Sequence, residues 1–120
     1  MGPAQVHRSL VLLIVLLLFC RDVASRGEMN TWCVASLRAP ESALQDGLNY
    51  ACGQGGVDCS AIQPGGSCFE PDTLRDHASY AFNSYFQKDA GGTARCDFGG
   101  AAMFTYTDPS TATCKYPSTR

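Results

Sequence analysis

Six cysteines are the residues of this chain whose type and spacing most clearly offer chemistry. They are Cys33, Cys52, Cys59, Cys68, Cys96 and Cys114. An even set of cysteines in a short chain with an export leader is typical of a disulfide framework, here of three disulfides. A zinc site needs Cys-x-x-Cys pairs or clustered histidines, and His77 has neither near it. Of the fifteen pairings that six cysteines permit, the short spacing favours only a local Cys52–Cys59 bridge.

Catalysis is disfavoured by the spacing of the polar residues. His77 and Ser79 lie two apart in a predicted helix, so their side chains point to different faces. No Gly-x-Ser-x-Gly elbow occurs. A glycosidase needs two carboxylates about 5–10 Å apart across a cleft, but Asp72 is better explained as a helix N-cap and Asp108 as a turn residue. We therefore predict a protein that is not an enzyme and has no metal or cofactor.

One face of the second predicted helix is suited to binding a sugar. At about 100° per residue, four residues share a face turned away from the apolar stripe: Asp76, Tyr80, Asn83 and Gln87. An aromatic ring offers an apolar plate to the C–H groups of a pyranose, and planar polar side chains can bond adjacent hydroxyls. The alternative is an ordinary solvated helix face. Tyr50 lies off the apolar stripe of the first predicted helix and is expected to face a groove, which makes it a fifth candidate.

The N-terminus has the pattern of a secretion signal. An apolar run of 11 residues, Leu10 to Cys20, is shorter than the roughly 20 residues that span a bilayer. The small residues Val23-Ala24-Ser25 follow, so residues 1–25 are predicted to be a signal peptide that is removed together with Cys20. An uncleaved membrane anchor is the alternative. The polar C-terminus has no hydrophobic tail for a lipid anchor.

The predicted mature chain, residues 26–120, is long enough for one small domain. Removing the signal leaves seven basic and ten acidic residues, a net charge of −3. A mildly acidic surface without a basic cluster argues against nucleic acid or an anionic membrane as a partner. We therefore expect a secreted, extracellular monomer.

The patterns between the cysteines predict two helices and a small sheet. The first helix should start at Pro40 and stop at Gly53, with a close packing contact expected at Gly47. The second should begin after an Asp72 N-cap and end by Gly91-Gly92.

Strand patterns surround these helices. Trp32 to Val34 reads as a short strand, with Trp32 expected in the core. Residues 101–106 should form a second strand, and Thr113 to Tyr116 its antiparallel partner after a turn at Asp108. The predicted fold is a small, disulfide-stapled α+β domain.

Ordered sequence blocks from Trp32 to Tyr116 resemble a known family. The blocks are Trp32-Cys33-Val34, Leu48-Asn49-Tyr50-Ala51-Cys52-Gly53, Asp58-Cys59-Ser60, Pro64-Gly65-Gly66-Ser67-Cys68-Phe69, Pro71-Asp72-Thr73, His77-Ala78-Ser79-Tyr80-Ala81-Phe82-Asn83-Ser84-Tyr85, Cys96-Asp97-Phe98-Gly99-Gly100-Ala101 and Asp108-Pro109-Ser110. The set resembles the plant carbohydrate-binding module of family 43, the callose-binding domain. Asn49 and Asp72 stand where the family more often has Asp and Asn.

The resemblance implies a non-catalytic module that binds β-1,3-glucan in the plant cell wall. The family occurs beside glucanase domains, in lipid-anchored plasmodesmal proteins and as small secreted proteins that include pollen allergens; this chain resembles the last group. The family's disulfides would carry over as Cys33–Cys96, Cys52–Cys59 and Cys68–Cys114. A secreted protein-interaction or defence protein on the same scaffold is the alternative function.

Overall fold

The computed structural model describes residues 7–16, 30–88 and 95–118. Helix α1 covers residues 7–16, within the predicted signal, and its side chains are exposed. Among the described residues, no helix combines the length and the apolar character needed to cross a membrane. The predicted cleavage site after Ser25, Cys20 and the predicted helix stop at Gly91-Gly92 lie outside the described residues.

The remaining elements form a two-stranded antiparallel sheet packed with two helices. In chain order they are β1 (Trp32–Ala35), α2 (Glu41–Cys52), α3 (Leu74–Lys88) and β2 (Ala102–Thr105), with short 3₁₀ turns at Ser60–Ile62 and Phe98–Gly100. This architecture confirms the predicted α+β fold class.

Strand β2 pairs with β1, with Trp32 opposite Thr105 and Ala35 opposite Ala102. The expectation that residues 113–116 would pair with the second strand is wrong, because these residues form no strand. The Cys33–Cys96 disulfide ties β1 to the segment that leads into β2. Strand β1 is therefore the antiparallel partner of β2, in place of the predicted partner at residues 113–116.

Helix α2 starts and stops close to the predicted positions. Pro40 is the N-cap, with an extended backbone (φ −69°, ψ 158°), so the helix begins one residue later than predicted. Gly53 is the C-cap, and its N–H bonds to the carbonyl oxygens of Asn49 and Tyr50. The buried residues of α2 are Leu44, Gly47 and Ala51.

Helix α3 is capped by Thr73 and not by Asp72 as the sequence suggested. Thr73 Oγ1 accepts a hydrogen bond from the N–H of Asp76 at 3.1 Å and donates one to the Asp76 carboxylate. Thr73 is therefore the N-cap residue, since its side-chain oxygen satisfies one of the free N–H groups of the first turn. The carboxylate of Asp72 instead lies 3.8 Å from His77 Nε2.

The two helices approach closely at Gly47. A Cβ atom there would lie 2.7 Å from Cε1 and Cζ of Phe82, so only glycine admits this ring. Phe82 is fully buried and stacks on Phe98, with ring centroids 4.2 Å apart. The close contact predicted at Gly47 is thus confirmed, and Trp32, 5% exposed, is a core residue as expected.

Helix α3 takes the place of a third strand beside β1. The N–H groups of Cys33 and Ala35 donate to Asn83 Oδ1 at 3.2 Å and Ser79 Oγ at 2.9 Å. Buried backbone donors need partners, and two helix side chains supply them here. The edge of β1 that faces away from β2 is therefore hydrogen-bonded by side chains of α3 and not by a further strand.

Three disulfides join the elements: Cys33–Cys96, Cys52–Cys59 and Cys68–Cys114. This is the pairing that the family resemblance implies. Cys52–Cys59 closes the loop after α2, and the other two tie distant segments together across the core.

Candidate functional site

A groove lined by three aromatic rings and three charged side chains opens between α2, α3 and the segment before β2. It has a volume of about 320 Å³. Its residues, called here the aromatic groove, are Asp46, Gly47 and Tyr50 from α2, Tyr85 from α3, and Arg95, Asp97 and Phe98 from the segment before β2.

The spacing along α2 places its contribution on one face. Asp46 and Tyr50 are four residues apart, so their side chains are neighbours on the helix surface. Gly47 lies between them and has no side chain to fill the space above Phe82. The absence of a side chain at Gly47 therefore shapes the groove as well as the helix contact.

Phe98 lies at the centre of the ring cluster. Its ring contacts Tyr85 at 5.3 Å and Tyr50 at 6.3 Å between centroids, both edge-to-face. Its backbone has a positive φ of 50°, which costs a bulky residue about 1–3 kcal/mol and tends to occur at functional sites. Stacking on Phe82 holds the ring in this orientation.

Tyr50 presents the most accessible ring of the cluster. It is 45% exposed, and its edge-to-face contact with Tyr85 has centroids 5.9 Å apart. An exposed ring supported from below by other rings is a rigid apolar plate. Asp46, Arg95 and Asp97 are exposed around it. They offer two hydrogen-bond acceptors and one donor group to a ligand on that plate.

In the ranges 7–16, 30–88 and 95–118, no three His, Cys, Asp or Glu side chains come together to hold a metal ion. The six cysteines from Cys33 to Cys114 are all in disulfides.

The four residues predicted as a sugar-binding helix face do not form one exposed face. Asn83 is completely buried. Its Oδ1 accepts from Cys33 N–H, and its Nδ2 donates to the Pro117 carbonyl at 2.8 Å. The expectation that Asn83 is exposed is therefore wrong, because β1 and the C-terminal segment pack on this side of α3.

The other three residues of that face are half-buried. Gln87 Nε2 donates to the Thr31 carbonyl at 2.8 Å, and the Asp76 carboxylate accepts a hydrogen bond from Thr73 Oγ1. The Tyr80 ring contacts Tyr116 edge-to-face, with centroids 5.5 Å apart, and lines a second groove. Of the five predicted residues, only Tyr50 lines the aromatic groove.

Sequence reasoning missed most of the aromatic groove. The helical spacing of Leu74, Ala78, Ala81, Phe82 and Tyr85 places Tyr85 on the buried stripe of α3, and the sequence pattern indicates no binding role for Asp46, Arg95 and Asp97. The i, i+4 spacing of Asp46 and Tyr50 around Gly47 was the signal available in the sequence. His77 makes a structural contact, since its Nε2 lies 2.7 Å from the Phe69 carbonyl oxygen.

Several known proteins are similar to this chain in sequence. A family model described as the X8 domain matches residues 31–103. Glucan endo-1,3-beta-glucosidase 13 of Arabidopsis thaliana is 51% identical over 92 residues, which are 77% of this chain and 18% of the relative.

Two relatives from the same plant are shorter proteins. Plasmodesmata callose-binding protein 5 is 43% identical over 93 residues, which are 78% of this chain and 52% of the relative. Plasmodesmata callose-binding protein 2 is 48% identical over 88 residues, which are 73% of this chain and 45% of the relative. The chain thus spans about a fifth of the glucosidase and about half of each callose-binding protein.

Proposed function

The chain belongs to the X8 domain family, the family 43 carbohydrate-binding modules that its motifs resemble, and from this membership we propose that it binds β-1,3-glucan without cleaving it. The observation that carries the proposal is the aromatic groove, in which the exposed Tyr50 ring is supported by Phe98 and Tyr85. The names of two relatives refer to callose binding, which fits a glucan ligand.

The groove has the chemistry that a neutral pyranose needs. The C–H face of a glucose ring packs on the Tyr50 plate, and its hydroxyls bond to Asp46, Asp97 and Arg95 at the rim. A volume of about 320 Å³ is at the small end for ligand sites. The groove therefore holds a short stretch of a longer chain, and affinity for single oligosaccharides is modest.

The glucosidase relatives bear on the question of catalysis. The match covers only 18% of glucosidase 13, so the rest of that protein has no counterpart in this chain. We assign the chain a binding role. A reducing-sugar assay on laminarin, a soluble β-1,3-glucan, should give no product above the buffer blank, and release of sugar would overturn this assignment.

Glucan binding is tested by laminarin affinity electrophoresis and by pull-down on insoluble β-1,3-glucan. Wild-type protein should be retarded, and Tyr50→Ala should lose at least about tenfold in affinity, the equivalent of about 1.4 kcal/mol. Tyr106→Ala is the matched control, because Tyr106 is 65% exposed and lies outside the groove. It should bind as wild type does.

Two outcomes would count against the proposal. If folded wild-type protein is not retained at millimolar glucan, β-1,3-glucan is not the ligand. Unchanged binding by Tyr50→Ala, with wild-type behaviour of Tyr106→Ala, would move the site away from the aromatic groove.

We also propose that the protein is exported to the cell wall as a monomeric domain of residues 26–120. The apolar leader and the three disulfides support this proposal. N-terminal sequencing of the secreted product should begin at Arg26, and light scattering should give the mass of one chain. A product that retains residues 1–25 would contradict the cleavage.

A further inference from the structure

We propose that α3 carries a second saccharide-binding groove, built around Tyr80, and that the domain therefore holds two glucan segments at once. The proposal rests on the proposed function for the identity of the sugar. The groove has a volume of about 380 Å³ and shares no lining residue with the aromatic groove. The residues that matter, called here the Tyr80 groove, are Asp58, Tyr80, Ser84, Lys88 and Pro117.

The spacing on α3 sets the two grooves apart. Tyr80, Ser84 and Lys88 follow at four-residue intervals and form one stripe along the helix. Tyr85, which lines the aromatic groove, is rotated about 100° from Ser84. The same helix therefore presents one aromatic residue to each groove, so one glucan segment can occupy each.

Tyr80 supplies an apolar plate. It is half-buried, and the Tyr116 ring supports it from the side at 5.5 Å between centroids. Pro117, next in the chain, lines the same groove and adds a second apolar surface. The Pro117 carbonyl is fixed by Asn83 Nδ2 at 2.8 Å. The apolar wall is thus held in place before any ligand arrives.

Charged groups of opposite sign line the same groove. Lys88 Nζ donates to the Gly55 carbonyl at 2.7 Å, which fixes the ammonium and leaves donors for a ligand. Asp58 accepts from Ser60 N–H at 3.0 Å, and the Ser60 hydrogen bonds hold the pKa of the Asp58 carboxyl below its usual value. A lining with one cation and one anion fits a neutral polyhydroxyl ligand better than an acidic sugar.

Ser84 adds a hydroxyl that can bind a ligand without giving up a hydrogen bond to the protein. Its Oγ is buried, and it has no hydrogen-bond partner among residues 7–16, 30–88 and 95–118. A buried hydroxyl without a hydrogen bond is unfavourable. Because Ser84 lines the Tyr80 groove, a sugar hydroxyl bound there can supply the missing partner.

The test is a ¹⁵N NMR titration of the secreted protein with laminarihexaose, a β-1,3-linked glucose hexasaccharide. Amide signals of Val57 and Ser84 report on the Tyr80 groove, and those of Gly47 and Asp97 on the aromatic groove. Both sets should shift, with saturation at two ligands per protein. Tyr80→Ala should abolish only the Val57 and Ser84 shifts, and Tyr80→Phe, which keeps the ring, should retain them.

Asp58→Asn keeps an oxygen to accept from Ser60 N–H, replaces the second carboxylate oxygen by an NH2 group and removes the negative charge. It should weaken binding in the Tyr80 groove about tenfold and leave the fold and the aromatic groove unchanged, since a hydrogen bond to a charged acceptor is stronger than one to a neutral acceptor.

The remaining outcomes separate the two proposals. Shifts only at Gly47 and Asp97, with one ligand bound, would overturn the second groove and leave the proposed function standing. Shifts only at Val57 and Ser84 would support the Tyr80 groove and remove the aromatic groove as the site. No shifts at all would overturn both.

Discussion

At the residue scale, Tyr116 connects the Tyr80 groove to the interior. Its hydroxyl is 3.5 Å from the Asp76 carbonyl oxygen, and burial, together with the charges of Asp76 and Tyr80, raises the pKa of Tyr116 to about 12. The neutral phenol is therefore the form that the folded state favours.

Alkaline titration should reveal this preference. Tyr116 should ionise after tyrosines of ordinary pKa, about 10, seen as a late phase in absorbance at 295 nm. A raised folded pKa means that the folded state holds the proton more tightly. Its stabilising effect is complete below about pH 10 and is lost as the pH rises toward about 12. Tyr116→Phe should remove the late phase, and its persistence would assign it to another residue.

Asn83 is the single polar side chain in the described core, and it satisfies two backbone groups from different segments. Asn83→Ala should lower the free energy of unfolding by about 2 kcal/mol or more, because it leaves the buried Cys33 N–H without a partner and removes the bond to the Pro117 carbonyl. Gln87→Ala is the control one turn later. It loses a half-buried bond to Thr31 and should cost about 1 kcal/mol. Urea unfolding measures both, and equal costs would contradict the role given to Asn83.

At the element scale, the α2–α3 contact depends on the missing side chain at Gly47. Gly47→Ala should destabilise the domain by about 1–3 kcal/mol through overpacking against Phe82, although alanine favours a helix by about 1 kcal/mol. Ser42→Ala, at an exposed position of α2, isolates the propensity effect and should stabilise slightly. Thermal unfolding compares the two. A higher melting temperature for Gly47→Ala would show that the helices separate easily.

The elements also show what the sequence could predict. Apolar periodicity and helix-stop glycines are local signals, so both main helices, the stop at Gly53 and the close contact at Gly47 were predictable. The partner of β2 was not, because strand pairing is decided by contacts between distant segments, here β1 with β2 through Cys33–Cys96. Asn83 was misplaced for a related reason: a helical wheel cannot show that a strand will bond to a polar residue. Thr73 is the cap in place of Asp72 because its Oγ1 accepts a hydrogen bond from the N–H of Asp76 in the first turn of the helix.

The candidate site was predictable only in part. Tyr50 was identified because it lies off an apolar stripe, which is a local pattern. Phe98 and Asp97 join it only through the fold, since the chain must turn after Cys96 to bring them against α2 and α3. From the sequence Tyr85 has the position of a core residue, because it lies at the border of the buried stripe of α3. Residues at such a border are half-buried, and in this fold Tyr85 lines the aromatic groove.

At the scale of the whole molecule, the disulfides differ in the length of chain that they close. Cys33–Cys96 and Cys68–Cys114 have sequence separations of 63 and 46, and Cys52–Cys59 of only 7. In the chain-entropy model the long closures stabilise by about 4 kcal/mol each and the short one by about 2. Replacing Cys52 and Cys59 together by serine should therefore leave a folded domain, and either other double replacement should lower stability by more. Denaturant midpoints rank the three variants, and a reversed order would refute the ranking.

The bonds to Asn83 and Gln87 also fix where the chain enters and leaves the domain. Gln87 binds the carbonyl of Thr31, just before β1, and Asn83 binds the carbonyl of Pro117, far beyond β2. These two helix residues are one turn apart, so the incoming and outgoing segments run side by side. A short glycine linker from residue 118 to residue 30 would then span a small gap, and new termini opened in the surface loop around Gly65 should give a circular permutant with the same two grooves.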